Sequence, residues 1–178
     1  MSNKSKEVVI VSAIRTPIGR YRGSLKNIRS DQLGSIVIKE VLKKSKFVNE
    51  EIDEVIMGQV LTAGTGQNPA RQAAINAGIP ISKPAHIINQ VCGSGLRAVI
   101  SGYQSIKLGE SKNVISGGQE SMSLAPHSIF YRDEKRISED KLLDTMVNDG
   151  LIDAFNNYHM GVTAENVAKK FNITRQEQ

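Results

Sequence analysis

The chain has 178 residues, 39% of them apolar, and its Lys and Arg outnumber Asp and Glu by 23 to 18, for a formal charge of +5. A single cysteine excludes an internal disulfide, no stretch approaches the roughly 18 apolar residues of a membrane span, and Met1-Ser2-Asn3-Lys4-Ser5-Lys6-Glu7 is too polar for a signal peptide, so a cytoplasmic protein is expected. The basic excess attracts anions; with no Trp, only 4% aromatics and no aromatic interleaved among the basic residues in a recognisable RNA-binding motif, a small anionic ligand is expected rather than nucleic acid.

Val8-Val9-Ile10-Val11 is a continuous apolar run of strand length, the pattern of a central strand covered on both faces. Arg15 to Ile28, with Pro17, Gly19 and Gly23, reads as a basic loop. From Ser30, read as an N-cap, Leu33, Ile36, Val37 and Val41 fall at helical spacing, and Lys43, Lys44 and Lys46 suit the negative end of the helix dipole. Glu54 to Val60 is a second strand. The Gly64-x-Gly66 pair that follows fails as a dinucleotide fingerprint, because Pro69 stands where the third glycine belongs. Asn68 as N-cap, Pro69 at the first helical position and Gly78 past the end frame a short helix.

His86 to Val91 is a third strand that delivers Cys92 at its carboxyl end, directly before a helix from Ser94 to Leu108 stopped by Gly109. A helix start offers unpaired N–H groups and the positive end of a dipole, a setting that suits a nucleophilic thiolate. Glycines on both sides of Ser94 leave the backbone open to a substrate carbonyl. The alternative is a buried structural cysteine. On this helix Leu96, Val99, Ile100 and Tyr103 share one face, while Ala98, Ser101, Gly102 and Ser105 are small, so close packing on more than one side is expected. Val114 to Ser116 is a fourth strand, which completes an α/β unit of βαβαβαβ order around a parallel sheet with its site at the strands' carboxyl ends.

After Met122 the texture changes, and Tyr131 to Lys141 is dense in mixed charge, which marks a boundary between a core of residues 1–122 and a loop-rich region of residues 123–178. A helix is expected from about Val162 to Phe171. Thr174-Arg175-Gln176-Glu177 is a capping box announcing a further helix, yet the sequence stops at Gln178, so the chain reads as truncated. No spacing of the three histidines with Cys92 matches a metal site.

Five blocks in this order resemble the thiolases, and among them the acetyl-CoA acetyltransferases: Arg15-Thr16-Pro17-Ile18-Gly19, Gly66-Gln67-Asn68-Pro69-Ala70-Arg71-Gln72, Asn89-Gln90-Val91-Cys92-Gly93-Ser94-Gly95, Gly117-Gly118-Gln119-Glu120-Ser121-Met122 and His159-Met160-Gly161-Val162-Thr163-Ala164-Glu165. The resemblance implies a thiolase-like amino-terminal half in which Cys92 takes an acyl group from acyl-CoA, and Leu151, His159 and Met160 line the pantetheine and acyl pocket. It implies acetyl-CoA, acetoacetyl-CoA and CoA as ligands, no permanently bound cofactor, and a tetramer-like homo-oligomer for a complete chain. His86 and His127 have no counterpart in the pattern and are read as structural. The family's carboxyl-terminal half carries an activating histidine, an asparagine that orders an oxyanion-hole water and a second cysteine; none lies in this sequence. Three readings follow: an acetyl-CoA acetyltransferase whose other half is a separate chain, an inactive remnant, or a CoA-binding module without turnover.

Overall fold

The computed structural model describes residues 7–131 and 142–178, in two compact units, residues 1–125 and residues 126–178. In the first, α1 (Ser30–Ser45) is followed by β1 (Glu54–Gly58), α2 (Pro69–Asn76), β2 (Ala85–Ile88), α3 (Ser94–Leu108) and β3 (Val114–Gly118). The three strands form one parallel sheet in the order β2-β1-β3, with Val55 opposite Ala85 on one side and Ile115 on the other. β1 is central, and Val55, Ile56 and Met57 are each at most 1% exposed. Since side chains alternate along a strand, Val55 and Met57 enter the core that Ile38, Leu42, Ala73 and Ala74 of α1 and α2 build, and Ile56 points the opposite way.

Local chemistry explains the helix ends. Asn68 adopts a left-handed conformation, its side chain accepts from Arg71 N at 3.1 Å, and Pro69 takes the first helical position. Gly109 stops α3 at φ 82°, a value that costs glycine nothing. The α1 N-cap is Arg29, one residue before the predicted Ser30. The polar block around α2 turns out to be structural. Asn68 donates to Ala85 O at 2.8 Å, Arg71 to Lys83 O and Ile81 O, and Gln72 to Thr65 O and Gln67 O, while Arg29 reaches Thr65 O and Gln72. Gly64 and Gly66, at φ 67° and 85°, lie in the turn so pinned.

The expected first strand is corrected. Residues 8 to 11 pair with no strand, Ile10 is 78% exposed, and residues 8 to 16 instead form one wall of a cleft of about 590 Å³ whose other walls are β3, α1 and α3. An apolar run becomes a central strand only where layers cover both its faces, and here Val9, Ile10 and Val11 stay exposed. The sheet therefore has three strands here and not four, and β3 forms its edge. The predicted third strand is also shorter, ending at Ile88, because residues 89–92 turn.

In the second unit, β4 (His127–Ser128) pairs antiparallel with β5 (Leu143–Asp144), followed by α4 (Thr145–Gly150) and α5 (Met160–Phe171). Asp144 caps α4, accepting from Met146 N and Val147 N. The Thr174 to Glu177 capping box forms as read, each side chain accepting from the other residue's backbone N–H. The charged stretch of residues 132–141 and the first six residues lie outside the described residues. Among the described residues no helix is long and apolar enough to cross a membrane.

Candidate functional site

Cys92 is exposed and sits in the turn between β2 and α3, at the carboxyl edge of the sheet. That turn is tightly determined. Val91 has φ 47°, a left-handed conformation that β-branched side chains rarely adopt. Its N–H donates to Asn89 Oδ1 at 3.0 Å, and its carbonyl accepts from Ser94 N at 3.0 Å and from Ser94 Oγ at 2.5 Å. Gln90 N donates to Ser94 Oγ at 2.8 Å, and Gln90 O accepts from Gly93 N at 3.0 Å.

Glycines seat the helix start against the strands. A Cβ on Gly58 of β1 would stand 2.6 Å from Ser94 O and closer still to Ser94 C and Gly95 N, and one on Gly118 of β3 would stand 3.3 Å from Gly95 Cα. The backbone of α3 thus rests on the carboxyl ends of β1 and β3, where the first turn of a helix presents its N–H groups and positive dipole. The small-residue face of α3 lies on the sheet: Ala98 is fully buried, and a Cβ on Gly102 would meet Ser116 Oγ at 2.8 Å. The opposite, apolar face is open, with Leu96 69% and Tyr103 49% exposed.

Beside the turn lies a buried polar group that sequence reading did not single out. Gln59, 1% exposed, accepts from Gln119 Nε2 at 2.9 Å and donates to Leu61 O at 2.8 Å. Glu120 Oε2 accepts from Val60 N at 2.8 Å and Leu61 N at 3.3 Å, and burial holds its carboxyl above the usual carboxylate range despite those bonds. Gln119 Oε1 and Glu120 Oε1 are buried with no hydrogen-bond partner among the described residues. Polar residues directly after two buried strands, Gly58-Gln59 and Gly118-Gln119-Glu120, were the available signal.

In the second unit the structure brings Leu151, His159 and Met160 together. Leu151 ends α4 and its carbonyl accepts from Met160 N at 2.8 Å; Ile152 and His159 form an antiparallel bridge; and His159 caps α5, its Nδ1 accepting from Gly161 N at 3.0 Å. Leu151 and Met160 are half-buried, whereas His159, His86 and His127 are exposed. Among the described residues no group of three or more His, Cys, Asp or Glu side chains is placed to hold a metal.

Residues 8–178 match the model of the thiolase amino-terminal domain. The chain is 56% identical over 173 residues to an acetyl-CoA acetyltransferase of Cupriavidus necator, covering 97% of this chain and 44% of that protein, and 53% identical over 178 residues to the mouse cytosolic acetyl-CoA acetyltransferase, covering all of this chain and 45% of that one. Among solved structures it is similar to Acat5 thiolase of Ascaris suum in complex with coenzyme A, with a TM-score of 0.90, 41% identity, and coverage of 96% of this chain and 44% of that chain. The chain spans less than half the length of these relatives.

Proposed function

Since the chain belongs to the thiolase family, we propose that it binds CoA thioesters and accepts an acyl group on Cys92, as the nucleophile-bearing part of an acetyl-CoA C-acetyltransferase, without completing turnover alone. The observation that carries this reading is the exposed Cys92 on a pinned turn at the start of α3, inside the matched domain. The Cys92 thiolate attacks the thioester carbonyl of acetyl-CoA, and the tetrahedral adduct collapses as its C–S bond to CoA breaks. CoA leaves as a thiolate that takes up a proton, and the acetyl group stays on Cys92. In the complete reaction the carbanion of a second acetyl-CoA, formed by loss of a methyl proton, attacks this thioester to give acetoacetyl-CoA and free Cys92; thiolysis is the reverse. Oriented backbone N–H groups at a helix start stabilise such an oxyanion by about 3 kcal/mol per donor.

Leu151, His159 and Met160 form the pantetheine and acyl pocket in this reading, within the loop-rich region of residues 123–178. The basic excess draws in the CoA phosphates. The activating histidine, the asparagine and the second cysteine belong to the carboxyl-terminal half of the thiolase pattern, outside these 178 residues, and that half covers the open face of α3. Losing one member of a cooperating catalytic set removes most of the rate, so this chain alone accepts an acyl group slowly and stops there. A cytoplasmic setting accords with the relatives from mouse and rat that carry "cytosolic" in their names, and the complete assembly is a homo-oligomer.

The test is incubation of the 178-residue chain with acetyl-CoA, read by intact mass, alongside loss of acetoacetyl-CoA enolate absorbance in the presence of CoA. One acetyl group on the wild type, none on Cys92→Ala, and no turnover until a carboxyl-terminal thiolase half is added are expected. Turnover by the chain alone, or neither acetylation nor retention on a CoA matrix, overturns the proposal.

A further inference from the structure

The geometry points to Ser94 as a positioning residue that, with Asn89, holds the turn carrying Cys92 in its acyl-accepting shape; this rests on the reading of Cys92 as the acyl acceptor. Where the chain leaves β2 and reverses into α3, neither a ladder nor a helix satisfies the backbone of Gln90 and Val91, so what fixes the turn is whatever else partners these groups. Two side chains supply them. Ser94 Oγ accepts from Gln90 N and donates to Val91 O, and Asn89 Oδ1 accepts from Val91 N. Together with Gly93 N on Gln90 O and Ser94 N on Val91 O, they partner every backbone N–H and C=O of these two residues.

This accounting explains how Val91 keeps φ 47°. A left-handed valine persists only where its surroundings fix it, and Val91 itself is 48% exposed, so packing does not do so. Ser94 is placed to act: it is 4% exposed, and its backbone is wedged against Gly58, so its hydroxyl has a fixed origin. Cys92 lies between the two tied points, Val91 and Gly93. Ser94 therefore sets the direction of the Cys92 side chain relative to the helix N–H groups without touching substrate.

The test compares two reactions of the sole cysteine in the 178-residue chain. Acetyl transfer from acetyl-CoA needs an oriented thiol; alkylation by iodoacetamide, in which an S–C bond forms as iodide leaves, tolerates many orientations. Ser94→Ala is expected to slow acetyl transfer about tenfold, the worth of the two lost hydrogen bonds, while alkylation changes less than about twofold. Adding Val91→Gly, which adopts positive φ unaided, restores acetyl transfer to within about threefold of wild type. A merely stabilising Ser94 would not be rescued this way. Exposed Asn89→Ala slows transfer in the same sense, and hydrogen exchange on the wild type should find the Gln90 amide protected. Wild-type transfer rates in Ser94→Ala, or a Gln90 amide exchanging like an unstructured peptide, overturn the inference even where Cys92 is acetylated. A wild type that alkylates but never acetylates instead sinks the acyl-acceptor reading.

Discussion

Gly58 of β1 and Ser94 of α3 meet backbone to backbone, so closely that a methyl group on Gly58 would stand 2.6 Å from the Ser94 carbonyl oxygen. The contact links the centre of the sheet to the turn that bears the cysteine. Gly58→Ala must therefore push α3 off the sheet, since backbone cannot rotate away as a side chain tip can. Overpacking of this kind costs about 3 kcal/mol. Urea denaturation should show that loss, and acetylation of Cys92 should slow with it.

The two faces of α3 respond in opposite ways. Gly102→Ala drives a methyl group to within 2.8 Å of Ser116 Oγ and 3.1 Å of Val114 Cγ1, and should destabilise the chain by about 1–3 kcal/mol. Leu96→Ala and Tyr103→Ser remove side chains that are 69% and 49% exposed, and should leave the stability of this chain within about 0.5 kcal/mol. Denaturant midpoints of the three variants check the contrast.

Glu120 gives the fold a pH dependence of definite sign. Its folded pKa is raised, with burial the largest cause, so the native state holds the proton more tightly than the unfolded chain. Stability from this group is complete below 4.5, the ordinary value of a free glutamate carboxyl, and is lost as pH rises through the raised folded value. Asp53 acts the opposite way: backbone N–H groups of Lys112 and Asn113 lower its pKa, so its contribution is present above 3.8 and lost as pH falls through the lowered folded value. Urea midpoints of the wild type should fall as pH rises above 4.5, and Glu120→Gln, which keeps an acceptor for Val60 and Leu61, should flatten that slope.

His159 can be split into its two roles. His159→Ala removes the acceptor for Gly161 N and should cost about 1 kcal/mol of stability, whereas His159→Asn keeps a cap. If the imidazole also lines the CoA pocket, both variants should weaken retention on a CoA matrix, and only the alanine variant should lower the denaturant midpoint.

Most of the element pattern was legible because its causes are local. Asn68, Pro69 and Gly109 mark helix ends through their own side-chain and backbone chemistry, and α3 runs from Ser94 to Leu108 as its spacing predicts. The Val8 to Val11 run misled because an apolar run records a demand for cover, and whether cover arrives depends on other elements. The Gln59, Gln119 and Glu120 group escaped notice because its members are about 60 residues apart, and only the parallel pairing of β1 with β3 brings them together.

Cys92, the glycines and hydroxyl around it, and its place in the junction that leads into α3 were legible in the sequence alone. The conformation of that junction was not. Val91 at φ 47° runs against its own side-chain preference, so no local reading of a valine could yield it. The tertiary structure decided it, because the backbone of Gln90 and Val91 finds its partners only when Asn89 and Ser94 fold back over the turn, and Ser94 can do so only where Gly58 lets the helix rest on the sheet.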